Sequence, residues 1–443
     1  MTWLAVLVLV PVALVVLVAC LRQPMRFALP LYAGLIPFGK ALSFGGSSYG
    51  SASSLAGMAL TLGLLLHIVS GRPLARRLPL SVALWLVFLG VALATSLWTL
   101  NRGETWSGLA VLSSLVLVYA LASVVDVDRT VVRRVENGLM VGSVAAVCYG
   151  VYQLAVLGGF LSDTPGEVAQ TDGRFGNGML GPNIESVTLL LPLVIALHRA
   201  CTDPGRRSRL LATVTAVLML LGILMTGSRT GTLGAGLVVL ALLVVSPPRA
   251  RPVLFGSLAA GAILATVVWV GHPFGLAERT YATATSSSGR VEIWEVGLAA
   301  CGRYCLGGSG WGTFPDVYAA TQALVPGARV LAGDQGSYQP HNLWLLTVIE
   351  TGFLGMLLFT TGLALAMRDA VRLPMSFRGP AVAGLLALVF GVFFLSSMEF
   401  KIFWMVLLLV NLYRNAAAHE AESGRQPPVT IPATLEPVAR SGP

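Results

Sequence analysis

The chain is 443 residues long, 55% hydrophobic and only 11% charged, with a formal net charge of +9 and a mean hydropathy of +0.79. So little polar surface excludes a soluble protein of this length. The apolar runs are continuous rather than alternating, so the class left is an all-α, polytopic integral membrane protein.

In chain order the runs of membrane length cover residues 2–21, 27–44, 51–70, 78–100, 105–125, 137–161, 182–197, 210–226, 230–245, 252–271, 343–367, 380–398 and 402–413. A helix crosses the bilayer with about 20 mostly apolar residues, so these runs predict about 12–13 transmembrane helices, the last of them short enough to be a partial span. The first run has neither a basic start nor a small-residue cleavage site, and reads as a span rather than a signal peptide. One long polar insert, residues 272–341, interrupts the pattern. The expected organisation is therefore N-terminal helices over 1–271, one large extracytoplasmic loop over 272–341, C-terminal helices over 342–413, and a disordered cytoplasmic tail over 414–443, rich in proline and small polar residues.

Orientation follows from the basic residues, because short cytoplasmic loops collect Lys and Arg. One set of loops holds Arg22, Arg26, Arg72, Arg76, Arg77, Arg129, Arg133, Arg134, Arg199, Arg206, Arg207, Arg209, Arg249, Arg251, Arg368, Arg372 and Arg378, and the opposite short loops hold only Lys40, Arg102, Arg174, Arg229 and Lys401, a ratio of 17 to 5. The first set faces the cytoplasm on this reading. The insert, Arg174 and Arg229 then face outward, and the C-terminus lies inside. The net positive charge is accounted for by topology and by contact with anionic membrane lipids, so no nucleic-acid partner is implied.

Five cysteines supply no metal site. Cys20, Cys148 and Cys201 lie in or beside spans and read as packing residues. Cys301 and Cys305 lie in the outward insert, where oxidising conditions permit a disulfide. Their spacing closes only a small loop near the limit of disulfide geometry, which leaves both a bridge and free thiols open.

An ionisable group next to an apolar run costs insertion energy and invites a functional reading. Arg229 lies in Gly227-Ser228-Arg229-Thr230-Gly231 between two spans with almost no loop, and Glu350 lies about two turns into its span. His341 is the only histidine at an outward junction of polar loop and apolar run. The insert also carries Gly289-Arg290-Val291-Glu292-Ile293-Trp294 and the glycine series Gly308-Ser309-Gly310-Trp311-Gly312-Thr313-Phe314. No strand precedes that series and no βαβ unit follows, so it is no dinucleotide fingerprint; it reads as a loop whose backbone approaches something closely.

Taken together and in order, Gly181-Pro182-Asn183, Thr226-Gly227-Ser228-Arg229-Thr230-Gly231, Arg290 to Trp294, Leu306 to Phe314, His341-Asn342-Leu343-Trp344-Leu345 and Glu350-Thr351-Gly352-Phe353-Leu354-Gly355 resemble the O-antigen ligase and Wzy-type polysaccharide polymerase superfamily of bacterial envelopes. The resemblance runs from about residue 177 to 365; the earlier half matches only in its pattern of spans. It departs at Cys305, where proline is common, and at Glu185, where the family residue is usually apolar.

The resemblance implies glycosyl transfer from a polyprenyl-diphosphate-linked glycan donor to a hydroxyl of a glycan or lipid-linked acceptor, on the outer face of the bacterial cytoplasmic membrane, with no cofactor and no metal. Arginines stay charged and fork onto phosphate oxygens, so Arg229 and Arg290, with Arg174 and Arg303 in reserve, suit the donor diphosphate. His341 suits the general base that accepts the acceptor proton. Trp294, Gly308, Gly310, Asn342 and Glu350 are expected to support the site. Two other classes fit the composition: a multi-spanning transporter of a lipid or saccharide, which would show related halves and broken helices near the midplane, and a non-catalytic envelope scaffold, which would tolerate loss of Arg229, Arg290 and His341 together.

Overall fold

The computed structural model describes residues 3–39, 42, 51–75, 79–157, 174–176, 181–271, 290–328, 339–396 and 398–424. Parts of the insert (272–289 and 329–338) and the expected disordered tail from residue 425 lie outside the described residues.

Each apolar run contains a helix. In order they are α1 (Trp3–Arg22), a π-helical turn (Pro24–Ala28) leading into α2 (Leu29–Leu35), α3 (Ala52–Val69), α4 (Leu80–Ala94), α5 (Arg102–Ser123), α6 (Arg129–Leu157), α7 (Pro182–Thr202), α8 (Arg206–Met225), α9 (Arg229–Val245) and α10 (Arg251–Gly271). The insert contributes α11 (Arg290–Tyr304) and the short α12 (Phe314–Thr321), followed by α13 (Leu343–Val371), α14 (Met375–Val392) and α15 (Lys401–Ser423). Among the described residues no strand is formed.

The expected dozen or more spans are present as helices, yet only nine of the described helices are long and apolar enough to cross a membrane, or ten with one bent pair. That pair is the start of the chain, where Pro11–Arg22 and Pro24–Phe38 meet at 119°. Pro24 has no N–H to continue α1 and its ring clashes with the preceding turn, so the helix stops at Arg22 and the chain turns. α9 is shorter, at 17 residues, and is closed by Ser246-Pro247. α15 carries Lys401, Asn411, Arg414 and Asn415, and it does not end near Tyr413 as expected but runs on to Ser423. The Asn415 amide donates to the carbonyls of Ser123 (2.9 Å) and Val125 (3.1 Å), and His419 pairs with Asp126 at 3.2 Å, so the extra turns dock on the α5–α6 connection.

α7 is the axis of the bundle. Its span is 89% buried, against 11% for α10, so α7 is surrounded by protein and α10 sits at the rim. A second core lies around Trp85, whose ring meets Phe88, Phe359, Phe403 and Trp404 edge-on at 5.2–6.0 Å between centroids. The contacts also sort the loops into two ends, as the arginine alternation predicts. The α4–α5 connection, the α8–α9 turn and the described parts of the insert gather at one end, and the residues joining α5 to α6, α7 to α8 and α14 to its predecessor gather at the other.

Candidate active site at the insert end of the bundle

The α8–α9 turn has a structural task for nearly every residue. Thr226 ends α8, its hydroxyl donating to the Ile223 carbonyl at 2.6 Å and accepting from the Ser228 N–H at 3.2 Å. Gly227 takes φ +57°, a left-handed conformation that glycine adopts without strain. The Ser228 hydroxyl caps α9 by accepting from the Gly231 N–H at 3.2 Å. Arg229, the first residue of α9, is left exposed, and among the described residues no carboxylate pairs with it. The sequence thus builds a rigid elbow whose free product is one guanidinium at a helix N-terminus, where anions are favoured.

Arg174 is bound to the same elbow. Its Nε donates to the Thr226 carbonyl at 2.7 Å and its Nη2 to Asn183 Oδ1, in the first turn of α7, at 3.1 Å. The next N–H, of Phe175, donates to the Met225 carbonyl at 3.0 Å, and the Phe175 ring is fully buried against Gly150. Among the described residues both partners of the Arg174 guanidinium are neutral, so they orient its charge without cancelling it.

The insert brings the other two residues. Arg290 opens α11, and Trp294 follows one turn later on the same face. The Trp294 indole N–H donates to the Pro340 carbonyl at 2.7 Å, which fastens that face to the segment entering α13. The next residue, His341, has φ +47°, and among the described residues it is the one non-glycine with positive φ. That conformation is strained for a residue with a Cβ, and it lets Asn342 follow as the cap of α13, accepting from the Leu345 N–H at 3.1 Å. Asn342 is therefore occupied by capping while the imidazole stays open to solvent.

The charges of these residues act on one another. Burial, and after it the Arg229 and Arg290 cations, lower the pKa of Arg174. Burial and Arg229 lower that of Arg290. Partial desolvation, and after it Arg290, hold the His341 imidazole below the ordinary histidine pKa of about 6.5. A lowered pKa favours the uncharged ring, the form that can accept a proton. Arg303 is not part of this group: it lies thirteen residues, about 20 Å, along α11 from Arg290, with its guanidinium 5.3 Å from the Tyr304 ring centroid. Cys301 and Cys305 are joined by a disulfide at that same end of α11.

The glycine series does approach something closely, and the partner is the protein itself. α13 is broken at Gly352, whose φ of 73° and ψ of −178° end the helical ladder inside an apolar span. The carbonyls released there accept from the series, Ile349 from the Ser309 N–H at 2.9 Å and Glu350 from the Gly310 N–H at 3.2 Å, while the Phe353 N–H donates to the Cys305 carbonyl at 2.8 Å. Where no water reaches, such groups must be satisfied within the protein. Gly308 (φ +83°) and Gly310 (φ +110°) are required twice over, since a Cβ would strain the backbone and collide with the Glu350 carbonyl or with Thr99. On its other side the series is held by Trp98, whose indole N–H reaches the Gly308 carbonyl at 3.1 Å, and by Trp311 packed edge-on to Phe88 at 6.1 Å.

Glu350, 2% exposed, completes the joint: its carboxylate accepts from the N–H of Phe314 at 3.1 Å and from that of Gly312. These bonds hold the loop to the helix break. Glu350→Ala strands two buried N–H groups, at about 1–3 kcal/mol each, so the midpoint of thermal unfolding in detergent is expected to drop sharply, whereas Glu350→Gln, which keeps an acceptor, retains most of the stability. Unchanged stability in both variants with activity lost would reverse this assignment.

Sequence reading alone gave no role to Asn183 and Thr226, which aim Arg174, or to Trp98 and Thr99, which clamp the glycine series. The signal available was weak: Asn183 stands in a quoted motif, and Trp98 to Asn101 form a polar break between two apolar runs.

No curated protein matches the chain. A family model described as O-antigen ligase (Wzy_C) matches residues 214–360, which begin inside α8 and end inside α13, and so contain Arg229, Arg290, the glycine series, His341 and the break at Gly352. Over this stretch, about a third of its length, the chain is similar to the O-antigen ligase family, in agreement with the resemblance carried by its ordered motifs.

Proposed function

We propose that the protein transfers a saccharide from a polyprenyl-diphosphate carrier to an acceptor hydroxyl on the outer face of the bacterial cytoplasmic membrane, with the Arg229 end outward and the C-terminus inside. What supports this reading is the coupling of Arg174 to Arg229 and Arg290, and of Arg290 to His341, whose pKa is lowered first by burial and then by that cation. In the proposed step the acceptor oxygen attacks the anomeric carbon, its proton passes to His341, and the bond from that carbon to the diphosphate breaks. The electron pair leaves on the diphosphate, where Arg229 and Arg290 meet the developing charge and Arg174, fixed by Asn183 and Thr226, adds a third guanidinium. No metal is needed for this division of labour, and chelator is expected to leave turnover unchanged. The acceptor is a glycan or a lipid-linked molecule, and the domain limits follow the membrane pattern, with helices over 1–271 and from 342 onward around the outward loop 272–341, the last helix ending at Ser423 rather than near 413.

The test is the glycan profile of a deletion strain. Single repeat units left on the acceptor, with long chains lost, identify a polymerase; full-length chains left on the lipid carrier identify a ligase. An unchanged profile with altered uptake of a small molecule would overturn both in favour of transport.

A further inference from the structure

The end of the bundle opposite Arg229 holds a cavity of about 280 Å³ that the transfer reaction does not use. α7 connects the two ends: it starts beside Asn183 and, 21 residues or about 30 Å later, ends at Thr202 in the cavity wall. The cavity therefore lies at headgroup level of the opposite leaflet.

Four arginines, Arg129, Arg133, Arg199 and Arg249, line it against two carboxylates, Glu136 and Asp203. Arginines at this end are expected from topology alone, but topology asks for exposed ones, and Arg199 is 7% exposed. It is held by Glu136, by Asn137 Oδ1 at 2.5 Å and by the Arg133 carbonyl at 3.4 Å. Glu136 also accepts from the Tyr413 hydroxyl at 2.8 Å, and Asp203 accepts from Arg133 Nη2 at 2.7 Å and from Ser208 at 2.6 Å. Both lining carboxylates are thus consumed in fixing Arg199 and Arg133. Arg129 stacks 5.2 Å from the Phe377 ring centroid and meets Glu420, which lies outside the lining, only at 3.6 Å between exposed side chains. Arg249 has no carboxylate partner among the described residues. α14 also begins here without a capping side chain: the Phe377 and Arg378 N–H groups donate to the Pro374 carbonyl at 2.9 Å, while no such bond is made by the N–H groups of Met375 and Ser376 among the described residues.

We propose that this cavity binds a dianionic phosphate group, carried by a phosphomonoester lipid headgroup or free in solution. The lining has an excess of two positive charges, matching a phosphomonoester better than a singly charged diester. The volume lies just below the roughly 300–1,000 Å³ of pockets for drug-sized ligands, which suits a headgroup and excludes a saccharide chain. The proposal does not depend on the chemistry assigned to the other end.

The experiment uses the purified full chain in nanodiscs and in detergent. Native mass spectrometry and thermal unfolding are read with phosphatidic acid, phosphatidylglycerol and inorganic phosphate as probes, on the unaltered protein, on Arg249→Ala, on Arg129→Ala/Arg249→Ala and on Arg229→Ala. Phosphatidic acid is expected to bind more tightly than phosphatidylglycerol. Loss of each guanidinium contact weakens it about tenfold or more, and Arg229→Ala leaves it unchanged. Displacement of that lipid by inorganic phosphate, lost in the double variant but kept in Arg229→Ala, identifies the soluble source; lipid binding indifferent to phosphate identifies the headgroup. Equal binding of both lipids, or equal binding by the unaltered protein and the double variant, would overturn the proposal.

Discussion

His341→Ala is expected to lower transfer from a purified lipid-linked donor by roughly 10²–10⁴, the range that positioned general bases contribute, or about 3–5 kcal/mol of barrier. The pH profile gives a second reading. The pKa of His341 is held down by desolvation and by Arg290, so the base form is present above that lowered pKa and is lost as pH falls through it. The acid limb of kcat/KM should therefore lie below about 6.5, the ordinary histidine value, and should move toward that value in Arg290→Gln, where the neighbouring cation is gone. Near-normal turnover in His341→Ala, with folding and expression confirmed, removes the histidine from the mechanism.

The second large effect concerns the arginines as forks rather than charges. Arg229→Lys and Arg290→Lys each keep the positive charge but replace a planar bidentate donor by a point charge, and turnover is expected to fall by roughly 10- to 100-fold, the worth of one charge-assisted hydrogen bond. Arg303→Lys is the internal control: it sits at the far end of α11 against Tyr304, and its turnover should stay close to that of the unaltered protein. A large loss in Arg303→Lys, with Arg229→Lys unaffected, would mean that the diphosphate sits elsewhere on the insert.

Much of this protein is legible without coordinates. Continuous apolar runs make an all-α membrane bundle unavoidable, and the distribution of arginines between alternate loops determines which loops share an end, because each hairpin returns the chain to the side it came from. Arg229 and His341 stand out by the same local logic, since each is the chemically distinctive residue at a junction of loop and span. Local pattern fails where a helix changes course for reasons that lie far along the chain. The bend at Pro24 turns two expected spans into one angled pair, and α15 continues to Ser423 because Ser123, Val125 and Asp126 offer partners nearly 300 residues away.

The site divides along the same line. Hydropathy and charge belong to a residue and its near neighbours, so the sequence by itself determined the class, the two ends of the bundle and the end that carries Arg229, Arg290 and His341. Only the tertiary structure decided that Arg174 joins them, through bonds to Thr226 and Asn183, while Arg303, on the same helix as Arg290, does not. It also decided that the glycine series and the Glu350 carbonyl bond to each other across the break at Gly352, and that the Glu350 carboxylate bonds to the Phe314 N–H. Convergence of side chains and the fate of released backbone groups depend on which helices pack together, and that is a property of the whole chain.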